Sequence, residues 1–237
     1  MGCRDAAKAR GAERELRAAC PGADLHQVKL DIADTLSIAD AAATVQQEFP
    51  SGVDVVVNNA GFAYHSDSTV PFATQAEVST TINYRGTRSV CEAFAPLLKK
   101  GGRIVNVSST LGSLGMLADG ALRQRWERTG AFDDIDALVA EFVAHAKTGD
   151  FQKLGWPESA YGVSKLALTQ YTRVLAALHP EIHVYACCPG WCRTDLSSNT
   201  GLKSAQDGAD TPLWLASSPE CLAAIPQGSF VADRRVV

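Results

Sequence analysis

The chain has no apolar run that approaches the roughly 18–20 residues of a membrane-spanning helix. Its opening, M-G-C-R-D-A-A-K-A-R, contains no apolar core segment, so no secretory signal is expected. Ala6 stands where a myristoylation pattern needs serine or threonine. There is no surplus of positive charge: 22 basic residues face 26 acidic ones, for a net charge of −4. That balance gives no support for nucleic-acid or anionic-membrane binding. The seven cysteines are odd in number and irregularly spaced, which points to reduced thiols in a cytosolic protein and not to a disulfide framework. Cys187, Cys188 and Cys192 crowd one stretch, but no histidine pair stands at ligand spacing beside them, so no zinc site is expected. The five histidines form no H-E-x-x-H group, and no G-x-S-x-G elbow is present to support a serine hydrolase.

What is present is ordinary for a soluble globular protein: 46% hydrophobic and 20% charged residues in 237 positions, most simply one domain over 1–237. Helical stretches are expected over 5–20, started by Asp5 and stopped by Pro21-Gly22, and over 34–49, capped by Asp34. A long helical run covers 74–99, and further helices cover 159–178 and 207–216. Strands are expected at 25–31, 53–58, 103–107, 182–188 and 228–232. V-D-V-V-V-N at 53–58 has the β-branched continuity of a strand buried on both faces of a parallel sheet. The alternation implies β-α-β units, whose ligands bind beyond the carboxyl ends of the strands. Asp31, Asn58-Asn59-Ala60-Gly61, Ser108-Ser109 and Pro189-Gly190-Trp191 stand at those ends. The stretch 110–157 is far longer than a usual strand-to-helix connection. Leu138, Val139, Phe142 and Val143 recur in it at helical spacing, so it is expected to form a helical cover.

The chemistry centres on W-P-E-S-A-Y-G-V-S-K at 156–165. Tyr161 and Lys165 are four apart, hence one turn apart on one helix face. A phenol with a pKa near 10 is a poor acid at neutral pH, and a neighbouring ammonium favours its ionised form. The spacing by itself is common. Ser109 ends a strand and can reach the same rim, or can simply cap a turn. Asn83 lies within a helical run, where asparagine is unfavourable, and an interruption there would free a backbone carbonyl. In N-N-A-G, small residues let a flat ligand approach the backbone, while the asparagine side chains can tie strand ends together.

N-N-A-G after one strand, Asn83 in the next helix, S-S after the next strand and Y-x-x-x-K opening the helix after that form an ordered set. This set resembles the short-chain dehydrogenase/reductase family along nearly the whole chain. S-A-Y-G-V-S-K, A-C-C-P-G-W-C-R-T-D and the long insertion before G-W-P narrow the resemblance to that family's monomeric carbonyl reductases. The resemblance implies an α/β fold: a Rossmann-type doubly wound parallel sheet with helices on both faces. It implies cytosolic reduction of ketones, aldehydes or quinones by NADPH, and an insertion that covers the face used for assembly elsewhere in the family, leaving a monomer. It further implies Tyr161 as proton donor, Lys165 lowering the tyrosine pKa and holding the cofactor ribose, Ser109 on the substrate carbonyl, and Asn83 holding a relay water. Asn58, Ala60 and Gly61 would line the adenosine–ribose side and Asp31 would bond the adenine amino group. Pro189, Gly190, Cys192 and Thr194 would flank the nicotinamide and pyrophosphate. Trp191 and Leu111 would form the substrate wall. Arg4 stands where the resemblance places the arginine for the 2′-phosphate, which favours NADP(H) over NAD.

The family's glycine-rich T-G-x-x-x-G-x-G loop is not in the sequence, nor is any G-x-G-x-x-G. The resemblance puts Met1 near the end of the family's second strand, so the first β-α unit is expected to be absent and NADPH binding by these 237 residues to be weak. Two function classes follow: an NADPH-dependent carbonyl reductase, and a catalytically silent relative acting as a binding or regulatory protein. NADPH oxidation with a quinone or aromatic aldehyde separates them.

Overall fold

Two stretches of parallel sheet carry the chain, each laid down by β-α-β crossovers. The computed structural model describes residues 1–237. Strand β1 (Gly2–Cys3) leads into helix α1 (Ala6–Ala19), whose first amides are held by the Asp5 carboxylate. Strand β2 (Val28–Lys29) pairs in parallel with β1, and helix α2 (Thr35–Glu48) follows with Asp34 as its cap. The second sheet has the order β3 (Val53–Asn58), β4 (Leu98–Val107), β5 (His183–Cys188), β6 (Phe230–Ala232), β7 (Arg235–Val236). All of its pairings are parallel except the last, the antiparallel β6–β7. Between β3 and β4 lie α3 (Phe72–Thr80), a π-helical turn over Thr81–Gly86, and α4 (Thr87–Phe94). Between β4 and β5 lie α5 (Gly120–Glu127), α6 (Phe132–Thr148) and α7 (Ala160–Leu178). Helices α8 (Ala205–Ser217) and α9 (Pro219–Ala224) precede β6.

Helices cover both faces of the larger sheet. On one face Ile104 and Val184 pack with Ala76, Tyr84 and Cys91, with the apolar side of α7, and with the 110–157 segment. On the other, Val105, Val107, Tyr185 and Val231 pack with Leu215, Cys221 and Ile225 of α8, α9 and the turn after it. The two sheets are joined through side chains: Ile38 and Ala41 of α2 meet Val90 and Phe94 of α4, with Val28 and Val56 against them. Helix α7 is buried nearly all round, as an apolar sequence such as V-S-K-L-A-L-T-Q-Y requires when it lies between a sheet and further helices.

Several boundaries differ from the sequence expectation for identifiable reasons. The strand expected over 25–31 is only Val28–Lys29, since its partner β1 is itself two residues long. The helical run expected over 74–99 breaks at the π turn and again at a short 3₁₀ turn over Ala95–Leu97, where Pro96 removes a backbone donor. The fourth strand starts at Leu98, ahead of the expected Arg103, with a register shift against Val53–Val55. The helix α9 and strand β7 had no clear periodic signal.

The 110–157 segment buries Leu138, Val139 and Phe142, with Val143 packed beside them. It is fastened to the rest of the chain by Asp136. That carboxylate accepts from the Tyr84 phenol at 3.0 Å and from the Arg88 guanidinium at 2.5 Å. Arg88 also lies over the Phe132 ring, 5.0 Å from its centre. The segment thereby covers the outer face formed by α3, α4 and α7.

Candidate active site

Helix α7 begins at Ala160 because the Ser159 hydroxyl accepts the Gly162 amide at 3.0 Å. Tyr161 is therefore in the first turn, where the positive end of the helix dipole favours an anion. Ser109 lies just beyond β4. Its hydroxyl caps the following turn by accepting the Leu111 amide at 3.2 Å, and it lies close enough to the Tyr161 phenol to favour that group's ionised form. The cap that the sequence offered for Ser109 is thus formed.

The turn after Ser109 and the turn of α7 that carries the pair are pressed against one another. A methyl group on Gly112 would sit 2.5 Å from the Leu166 amide nitrogen and 2.7 Å from the Lys165 carbonyl carbon. One on Gly162 would sit 2.9 Å from the Leu111 carbonyl oxygen. The Ser108 hydroxyl further donates to the Lys165 carbonyl at 2.9 Å. Sequence reasoning passed over Gly112; its only signal was a glycine three residues after S-S.

Lys165 is buried, and its ammonium donates to the Val107 carbonyl at 2.8 Å. Its Nζ is 5.6 Å from the centre of the Tyr161 ring. Burial pulls the Lys165 pKa down to about 8, opposed by the Cys187 and Cys188 thiols. The expectation that the pair brings the phenol down is corrected here. Burial pushes the Tyr161 pKa above its ordinary value, and the Ser109 hydroxyl offsets this only in part. Desolvation of an ionisable group outweighs one neutral hydrogen bond.

Asn83 sits within the π turn, so the helix is interrupted where asparagine was out of place. Its side chain is fully buried. The carboxamide oxygen accepts the Phe62 amide at 2.7 Å, and the nitrogen donates to the Phe62 carbonyl at 2.8 Å and to Ser164 Oγ at 2.9 Å. Ser164 was not singled out from the sequence. Its signal was a small polar residue beside Lys165 in an otherwise apolar helix.

The other residues fall at the same carboxyl-end rim or near it. The Asn58 carboxamide donates to Asn106 Oδ1 at 2.8 Å and to Cys91 Sγ at 3.2 Å, tying β3 to β4 as a strand-end asparagine can. Ala60 is exposed beside Gly61, which faces Asn83 and Lys165: a methyl there would lie 3.5 Å from Asn83 Oδ1 and from Lys165 Nζ. Arg4 follows β1 and Asp31 follows the adjoining β2, so they stand at neighbouring strand ends. The guanidinium of Arg4 is exposed and forms no ion pair, whereas one Asp31 oxygen already accepts the Ala33 amide at 3.0 Å.

After β5, Pro189 and Gly190 turn the chain, Gly190 with a left-handed φ of 84°. The following loop is drawn closed by Arg193 N–Lys203 O and Lys203 N–Trp191 O bonds of 2.9 and 3.0 Å. Thr194 caps a short turn over Asp195–Ser197. The Cys192 thiol lies at 3.5 Å from the Pro189 and Gly190 carbonyls and against Gly208 of α8, partly buried behind the loop. Cys187 is buried, and burial raises its thiol to about 12, the inert state of a core cysteine. Trp191 and Leu111 are both largely exposed, as are Leu196 and Leu202 on the loop that follows Trp191.

The geometry thus brings a phenol, a serine hydroxyl, a buried ammonium and a locked asparagine to one rim. Such a set can donate a proton to an oxygen held between Ser109 and Tyr161. The arrangement also has counterparts. The model of the short chain dehydrogenase family matches residues 2–120. Carbonyl reductase 1 (NADPH) of Bos taurus is 39% identical over 99% of this chain and 86% of its own length. Carbonyl reductase 3 (NADPH) of Mus musculus is 38% identical over 98% of this chain and 86% of its own. Among solved structures, salutaridine reductase from Papaver somniferum superposes with a TM-score of 0.85 at 29% identity, covering 98% of this chain and 90% of that one. An NADPH-bound carbonyl reductase from chicken fatty liver gives a TM-score of 0.66 at 24% identity, over 100% and 85% of the two chains, a likeness of fold.

Proposed function

The chain belongs to the short chain dehydrogenase family, and from that premise we propose that it is an NADPH-dependent carbonyl reductase that converts ketones, aldehydes or quinones to alcohols. The observation that carries the reading is the meeting of Ser109, Tyr161 and Lys165: the serine hydroxyl faces the phenol, and the lysine ammonium is buried one helical turn on. Full-length similarity to curated NADPH carbonyl reductases supports it.

The strand-end residues fit the cofactor. Arg4 offers an exposed, unpaired guanidinium for a 2′-phosphate, and Gly190, with a left-handed φ, leaves backbone room along the rim beside Lys203. NADPH, when bound, supplies the hydride to the carbonyl carbon. Ser109 holds the carbonyl oxygen, and Tyr161 delivers the proton to it. Lys165 places a buried ammonium one helical turn from the phenol, 5.6 Å from the ring centre. Asn83, interrupting its helix, turns a backbone carbonyl toward the relay that returns the proton. Leu111 and Trp191 form the apolar mouth through which a carbonyl compound enters.

The chain acts as one domain with a helical cover over 110–157. The cover lies on the α3–α4–α7 face and is fastened through Asp136, which supports a monomer. No helix is long and apolar enough to cross a membrane, in keeping with a cytoplasmic enzyme of small molecules. The test is Tyr161→Phe. It should lose at least about a hundredfold in carbonyl reduction while still binding NADPH. Turnover close to that of the unaltered chain would remove Tyr161 as the proton donor, whereas an unaltered chain that oxidises no NADPH with any carbonyl compound would favour the silent binding protein.

A further inference from the structure

Ser164 is wholly buried one residue before Lys165 and carries a directed chain of hydrogen bonds. Its hydroxyl donates to the Tyr161 carbonyl at 2.7 Å, which leaves an oxygen lone pair for Asn83 Nδ2 at 2.9 Å. Asn83 has no other orientation open to it, because its oxygen takes the Phe62 amide and its nitrogen also serves the Phe62 carbonyl. The chain therefore runs from the Phe62 backbone through Asn83 and Ser164 to the backbone of Tyr161. It joins three elements, and the two side chains at its centre are 81 residues apart. The loop it pins includes Gly61, which faces both Asn83 Oδ1 and Lys165 Nζ.

We propose that Ser164 is a positioning residue for the reduction step, fixing through Asn83 the 59–62 loop against the turn of α7 that carries Tyr161 and Lys165. This rests on the reductase reading. Removing the hydroxyl leaves a buried Asn83 donor short of an acceptor, which the loop relieves by shifting outward and admitting water beside the pair. The groups facing that turn are Ser109 from the end of β4, Cys187 and Cys188 from β5, and the pair itself. Wetting the turn should let the Tyr161 phenol fall toward its ordinary value near 10.

The experiment compares Ser164→Ala, Ser164→Thr, Asn83→Ala and the Ser164→Ala/Asn83→Ala double variant. Carbonyl reduction is followed by NADPH oxidation with 4-nitrobenzaldehyde. The phenol of Tyr161 is titrated by ¹³Cζ-tyrosine NMR and assigned with Tyr161→Phe. Ser164→Ala should lower kcat about tenfold, the size expected when one buried donor loses its partner, with KM for the aldehyde little changed and the phenol titrating lower. Ser164→Thr, which keeps a hydroxyl able to bond the carbonyl three residues back, should restore most of the rate. The double variant should be no slower than Asn83→Ala. If Ser164→Ala does not fold, Ser164→Cys keeps the volume while accepting weakly and should show the same losses in smaller measure. Unaltered kcat with an unmoved phenol overturns the proposal, and so does a double variant in which the two losses multiply. If the unaltered chain reduces no carbonyl compound, the reductase reading fails by itself. The phenol titration then still decides whether Ser164 positions Tyr161.

Discussion

Replacing Gly112 with alanine isolates the contact that holds Ser109 over Tyr161. The new methyl carbon would lie 2.5 Å from Leu166 N, 2.7 Å from Lys165 C and 2.9 Å from Lys165 Cβ. None of these atoms can rotate away: two are backbone and the third is the first atom of its side chain. Ordinary contact begins at 3.4 Å, so the turn over Thr110–Gly112 must lift from α7 by about 0.9 Å. Overpacking of this kind costs about 1–3 kcal/mol. In a chain of this length that lowers Tm by roughly 2–12 °C. The kinetic effect should be larger than the thermal one suggests, because Ser109 moves with the turn while Tyr161 stays on the helix. A misplacement near 1 Å can cost on the order of a hundredfold in rate. The assay is NADPH oxidation with an aromatic aldehyde beside a thermal melt. Gly11→Ala, in α1 with nothing within 4 Å of the added carbon, serves as the matched control and should be neutral or stabilising by about 0.5–1 kcal/mol. A Gly112→Ala protein with unaltered kcat and Tm would refute the argument that this close approach sets the site.

Three further outcomes are expected. Asp136→Ala unties Tyr84 and Arg88 from the 110–157 cover and should cost about 1–3 kcal/mol in urea unfolding; a change below about 0.5 kcal/mol would mean that the cover is held by apolar packing alone. Lys165 binds its proton less tightly folded, at about 8, than at its ordinary 10.5, so the unfolded chain carries the extra proton between those values and stability rises with pH across that window. The stability of the unaltered chain relative to Lys165→Met should therefore improve by about 2–4 kcal/mol from pH 7 to 10.5, and a constant difference would contradict the burial argument. Arg4→Ala should reduce the preference for NADPH over NADH about tenfold in kcat/KM, whereas an unchanged ratio would remove Arg4 from the phosphate site.

Much of the architecture was legible because periodicity and caps are local. Asp5, Asp34 and Ser159 each hold amides two or three residues ahead, and the helices start where those residues stand. The order N-N-A-G, Asn83, Ser109, Tyr161, Lys165 also stood in plain view, since each falls at a strand end, a helix start or an unfavourable helix position. Other features were not legible for the same physical reason in reverse. The partner of the Asn58 carboxamide is Asn106, 48 residues on, a pairing that no local spacing announces. The Tyr161 pKa was expected to fall, but how deeply the phenol is buried depends on elements that the Y-x-x-x-K spacing does not describe.

The sequence by itself determined which residues can do proton chemistry and in what order the elements present them, because residue type, spacing and capping act over a few positions of chain. Only the tertiary structure decided how closely the elements approach: Gly112 on Leu166, Asp136 on Arg88, and Asn83 between Phe62 and Ser164. Those approaches are set by packing among segments tens of residues apart. They fix the burial of Lys165 and Tyr161, and with it the energy of moving a proton on or off either side chain.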